Sequence, residues 1–214
     1  MGKLQEGILG AVIGTVGPVT GYRRNGQYLI RTRHSRKHTN LTPARLAQQQ
    51  KIKVCNEFTA AFSGSGFFNK SFPAYGDKGT GYNRATSALM NLAITGTYPG
   101  ISLHYPEVII SKGPLPGAFN ATATAGGGNI FFTWHDNTGT GTAHSNDRVI
   151  MVAYLPQERT AFFAFGDENR SDCHAMLTIP SLTGQPIHTW LGFISEDEKN
   201  TATSVYTGQL IMNN

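Results

Sequence analysis

Apolar and basic positions intermingle in two short runs, Val16–Arg24 and Gln27–Arg33, on either side of Asn25-Gly26. Asn-Gly between two such runs predicts a β-hairpin, because a type I′ turn needs positive φ at both central residues. Tyr22, Tyr28 and Ile30 fill apolar positions of this hairpin, and Arg23, Arg31 and Arg33 fill basic ones. A side-chain period of two places Arg31 and Arg33 on one face. Ahead of the hairpin, Ile8–Val19 (ILGAVIGTVGPV) is apolar for 12 residues, too short for a membrane-spanning helix. Its glycines and β-branched residues predict a strand or an extended arm. Glu6 precedes the run and no small-residue cleavage site follows it, so no signal peptide is expected.

The period then lengthens. Thr42-Pro43 supplies an N-cap and a first helical residue, and Ala47, Val54, Phe58 and Ala61 recur at helical spacing, predicting a helix to about Phe62. A second helix is expected over Asn83–Ile94, with Ala85, Ala88, Leu89 and Leu92 inward and Gly96 as its cap. Prolines 99, 106, 114 and 116 then punctuate the chain around a short strand at Val108–Ile110, and the domain boundary is placed there. Seven short runs follow: Phe119–Thr124, Ile130–His135, Val149–Leu155, Thr160–Phe165, Ala175–Ile179, Thr189–Ile194 and Val205–Met212. Turn residues separate them, which predicts an antiparallel β-sandwich. The expected fold is therefore mainly β. Residues 1–112 form a small α+β part, with an arm, a hairpin and two helices, and residues 113–214 form the sandwich.

Composition narrows the classes. Only 14% of residues are charged and 10% are aromatic, which excludes a solvated disordered chain, and the 25 glycines have no collagen period. Charge is polarised along the chain. Residues 1–112 hold 14 Lys+Arg and 4 Asp+Glu, a balance of +10, while residues 113–214 hold 4 and 9, a balance of −5. Segments of opposite sign favour head-to-tail attraction between copies. Cys55 and Cys173 match no disulfide or Cys-x-x-Cys pattern and are expected as small packed residues.

Candidate chemistry is sparse. His135, Asp136, His144 and Asp147 are ligand types within one loop, but their spacing fits no zinc or calcium template, so no metal or cofactor is expected. No nucleophile elbow or catalytic-cysteine signature occurs, and the carboxylates cluster in turns, so no enzymatic activity is expected. Arg23, Arg24, Arg31, Arg33, Arg36 and Lys37 form a basic face that could neutralise phosphates, yet no nucleic-acid reader motif accompanies it. Assembly is favoured over these readings, with self and other structural proteins as partners. Ile8, Leu9, Val12, Ile13, Val16, Tyr22 and Tyr28 are the candidate interface. The loops around His135–Asp147 and Asp167–Asp172 are a second candidate, for a glycan or a protein.

Two resemblances add to this reading. The Pro-rich PLPGAFNATAT, IFFTW ending at Trp134, and HTWLGFISEDEKNTATSVYTGQL together resemble a fibronectin type III-like domain. Trp134 matches its early-strand core tryptophan, while His188 and Trp190 stand where such domains often carry tyrosine. Over nearly its whole length, the succession MGKLQEGILG, TVGPVTGYRRNGQYLIRTR, TPARLAQQQKIKV, NLAITGTYPG, VIISKGPLPGA, HTWLGFISEDEK and SVYTG resembles a family with no assigned activity from Bacteroidota and some of their phages. It departs at Arg24-Asn25-Gly26, where Trp-Lys-Gly is expected. The resemblance implies a fold and a bacterial or phage source, and it implies no activity and no catalytic residue; the assembly reading places the protein in a virion or at the cell surface.

Overall fold

A computed structural model describes residues 3–4, 10–33, 41–76, 79–179 and 184–211. The chain divides into two compact units, Met1–Leu41 and Thr42–Asn214.

The first unit is an antiparallel meander of β1 (Lys3–Leu4), β2 (Val12–Val16), β3 (Val19–Arg24) and β4 (Gln27–Thr32), in that order across the sheet. Arg24 pairs with Gln27 across Asn25 (φ 50°) and Gly26 (φ 82°), the two-residue turn that the sequence predicts. The expected arm is a strand here: β2 returns through Gly17-Pro18 and pairs Gly14, Thr15 and Val16 with Gly21, Thr20 and Val19. Gly21 is obligatory, because a Cβ at that position would collide with the Val12 carbonyl.

The second unit begins with α1 (Pro43–Ala60), α2 (Phe67–Ser71) and α3 (Gly81–Leu92). Thr42 caps α1 by accepting the Arg45 N–H, with Pro43 at the first helical position. Thr80 caps α3 in the same way through the Asn83 N–H. Ala85 and Leu89 are buried as expected, whereas Leu92 is 51% exposed at the end of its helix. Ala93 caps α3, and Gly96 belongs to the turn between β5 (Ile94–Thr95) and β6 (Ser102–Leu103).

The seven expected strands follow as β7 (Phe119–Gly126), β8 (Asn129–His135), β9 (Arg148–Leu155), β10 (Thr160–Asn169), β11 (His174–Thr178), β12 (Pro186–Ile194) and β13 (Val205–Ile211). They form two antiparallel sheets, of order β11-β8-β7 and β10-β9-β12-β13. Ile130, Phe132 and Trp134 of β8 pack between the sheets against Met151, Leu191 and Phe193. In β8 buried and exposed residues alternate, since only one face of its sheet is covered. In β9 and β12 almost every residue is buried. The reason is a third layer. Ile150, Val152, Tyr154 and Trp190 face away from the sandwich interior and pack against Phe58, Phe62, Phe67, Ala85 and Leu89 of the helices. Phe58 meets Tyr154 and Trp190 with ring centroids at 4.7 and 6.0 Å.

This shared core moves the division of the chain from the expected 112/113 to 41/42. The proline-punctuated stretch is fastened rather than free. Val108 and Ile110 are buried without forming the expected strand, and a single 3₁₀ turn, Tyr105–Glu107, precedes them. Ser204 Oγ accepts the Ile110 N–H at 2.8 Å, Ser111 Oγ donates to the Ala202 carbonyl at 2.8 Å, and Thr201 Oγ1 donates to the Lys112 carbonyl at 2.9 Å.

Candidate functional site

Two places carry the sequence-predicted site residues: the N-terminal sheet, and the loops at one end of the sandwich.

In the sheet, opposed residues of adjacent antiparallel strands share a face. The pairing puts Val16, Val19, Arg23, Tyr28 and Ile30 on one face, and Thr15, Thr20, Tyr22, Arg24, Gln27, Leu29 and Arg31 on the other. Among the described residues of this unit the sheet is a single layer. Ile30 is 68% exposed, Val16 51%, Tyr28 47% and Leu29 37%. Of the expected interface, Val12, Ile13 and Val16 lie on β2, Tyr22 on β3 and Tyr28 on β4. Ile8 and Leu9 lie outside the described residues, as do Arg36 and Lys37 of the expected basic face. The remaining basic residues do not form one face: Arg24 and Arg31 lie opposite to Arg23, and Arg33 follows β4, its N–H donating to the Pro18 carbonyl at 2.7 Å. Arg23 lies over the Tyr28 ring at 5.5 Å and Arg31 over the Tyr22 ring at 5.4 Å. Each of these arginines thus lies against a tyrosine of the same sheet.

At the sandwich end the four loop residues go to separate tasks. Asp136 accepts from the Thr138 N–H and hydroxyl, and these bonds hold its carboxyl below the usual range. His135 Nδ1 lies 3.2 Å from Asn120 Nδ2. The His144 backbone N–H donates to Asp147 Oδ2 at 3.0 Å. Asp147 is buried against Arg170, which is fully buried and which the sequence reading did not single out. Arg170 Nε donates to Asp147 Oδ2 at 3.0 Å, Nη1 to Asn137 Oδ1 at 2.7 Å and Nη2 to the Pro116 carbonyl at 3.1 Å. Its guanidinium lies 3.9 Å above the Phe193 ring. Burial lowers the Arg170 pKa, and Asp147 opposes that shift. Arg170 therefore ties four segments together, but as one arginine in DENRSD it left no pattern to read. Asp147 Oδ1 is buried without a partner. Asp147 also lines a polar cleft of about 460 Å³ with Thr142, His144, Asn146, Glu196 and Asp197. The second candidate loop is closed on itself, because Asp172 accepts the Asn169 N–H at 2.8 Å. Among the described residues, no three His, Cys, Asp or Glu side chains converge as a metal site.

Cys55 is fully buried, and burial raises its thiol pKa to about 11, so it is a packing residue. Cys173 is half-buried with φ at 61°, between the 3₁₀ turn Arg170–Asp172 and β11. Among the described residues no helix is long and apolar enough to cross a membrane.

The first, second and fifth strands of this sandwich form one sheet, and the third, fourth, sixth and seventh form the other. That order, with a tryptophan packed from the second strand, defines a fibronectin type III-like sandwich, here with a helical layer on its larger sheet. The chain belongs to the family of unknown function DUF6266, whose sequence profile matches residues 11–208. Among solved structures it is similar to the FN1–FN3 domains of chicken CNTN1, at 10% identity and a TM-score of 0.36. That match covers 49% of this chain and 36% of the other, so the fold assignment rests on the strand order. No curated protein matches the chain.

Proposed function

We propose that this chain is a non-enzymatic, self-associating structural protein whose contact surface is the N-terminal sheet. One observation carries the reading: among the described residues of its unit the sheet is a single layer with Val16, Tyr28, Leu29 and Ile30 exposed. A sheet of this size needs a second layer over its apolar face to be stable in water. The opposite net charges of the two parts of the chain add long-range attraction between copies. The setting we favour is a phage virion component (neck, tail or decoration) or a bacterial surface filament, which rests on the family resemblance in the sequence. Light scattering of the full chain over a range of concentrations should show an oligomer. Val16→Lys with Ile30→Lys should shift it to monomer without changing the circular dichroism of the fold. A wild-type chain that stays monomeric at its solubility limit would overturn the proposal.

The polar cleft favours a second reading, a binding module for a glycan or a protein at the sandwich loops. Asp147 Oδ1 can accept a hydroxyl or amide there, beside Thr142 and Asn146. Glycan-array binding by the full chain that disappears with Asn146→Ala and Glu196→Ala would select this reading over assembly.

A further inference from the structure

The sheet's free edge says how two copies would join. We propose that β4 pairs antiparallel with β4 of a second copy about a two-fold axis through Leu29, fusing two four-stranded sheets into one. The inference rests on the self-association reading and adds to it an edge-to-edge joint, distinct from the cover over the sheet's apolar face.

Among the described residues β4 pairs with β3 alone, so its outer side is an edge there, and all six of its residues are exposed. Natural edges are guarded by proline, bulges or several charges. QYLIRT has no proline, and Arg31 is its one charge. The backbone parity is also set. Arg24 and Gln27 close a two-residue turn, so they exchange hydrogen bonds with each other, and Gln27, Leu29 and Arg31 turn their backbone groups toward β3. The Arg33 N–H, donating to the Pro18 carbonyl, continues that parity. Tyr28, Ile30 and Thr32 are left to present N–H and C=O groups outward.

Self-pairing has to oppose outward residues to outward residues, which leaves few registers. With Leu29 on the axis, Tyr28 meets the second copy's Ile30 on both sides of it, and Gln27 meets Arg31. Apolar pairs then lie on the face that carries Val16 and Val19, and no arginine opposes another. An axis through Ile30 places Arg31 against Leu29 and leaves Gln27 beyond the paired strand. An axis through Tyr28 opposes Arg31 to the turn residue Asn25 and shortens the overlap. A joint of β4 with β4 is isologous, the same strand serving both copies.

Cysteine cross-linking of the full chain tests this in a Cys173→Ser background, with Cys55 buried. Leu29→Cys puts two Cα atoms about 4.5 Å apart across a non-hydrogen-bonded pair, within disulfide range. Ile30→Cys puts them about 8 Å apart, beyond it. Mild oxidation should convert most of the Leu29→Cys protein to a covalent dimer on a non-reducing gel and leave Ile30→Cys uncoupled. Equal cross-linking of both variants would overturn the register. Failure of Leu29→Cys to couple while light scattering still shows oligomers would overturn this edge and leave self-association standing. A monomer by light scattering would overturn both.

Discussion

Arg170 keeps its charge out of contact with water, and each of its three guanidinium nitrogens donates to Asp147, Asn137 or Pro116. A buried pair of this kind is most costly to break from one side, because the remaining charge has no water to turn to. Arg170→Met should lower stability by about 3–5 kcal/mol in urea unfolding. Asp147→Asn with Arg170→Met should recover part of that loss, since neither charge is then stranded. His188 poses the reverse problem. It is stacked on Tyr105 at 3.9 Å, with Nδ1 2.8 Å from the Tyr206 hydroxyl, and burial lowers its pKa from 6.5 to about 4. Between those values the unfolded chain binds a proton that the folded one does not. Stability should fall as pH drops from 6.5 toward 4, by on the order of 3 kcal/mol in all. Denaturant melts across that window check this, and His188→Gln should flatten the slope. Asp197, lowered from 3.8 to about 2, adds stability that is present above that range and lost as pH falls through it, so the two effects separate on the pH axis.

Among the elements, α1 and the 108–117 stretch show how sequence signals divide. Thr42-Pro43 announces α1 because capping is local: the Thr42 hydroxyl meets an N–H three residues on. Thr42→Ala should cost about 1 kcal/mol. The stretch after Leu103 reads as a linker because prolines crowd it, yet its hydrogen bonds run to Thr201, Ala202 and Ser204, some ninety residues away. Ser204→Ala strands the buried Ile110 N–H and should cost about 1–3 kcal/mol by the same urea measurement. The strands were legible because turn residues bound each of them, and Asn25-Gly26 marked the hairpin by its φ requirement alone. α2 was not legible: Phe67–Ser71 is too short to show a period, and Gly66 enters it in the left-handed region with no side-chain cap. The Asp147–Arg170 pair joins residues 23 apart that share no motif. The sheet side of the candidate site was read correctly as strand-forming, but the division of its arginines between two faces depends on register. A turn type sets that register more sharply than composition does.

For the molecule as a whole, the helical layer turns an ordinary sandwich face into an interior. The fragment 42–214 should fold with dispersed amide resonances. The fragment 113–214 should bind a hydrophobic dye, because Ile150, Val152, Tyr154 and Trp190 lose their cover. A 42–214 fragment that gives collapsed spectra would show that the first unit is needed for folding. The occupied face also bears on descent. Sandwiches of this class can multiply by copying their seven strands, each copy complete in itself. In this chain such a copy would begin life with a greasy wall, so duplication has to carry the preceding helices along. The unit that can be copied without exposing that wall is the three-layer body, not the seven strands alone.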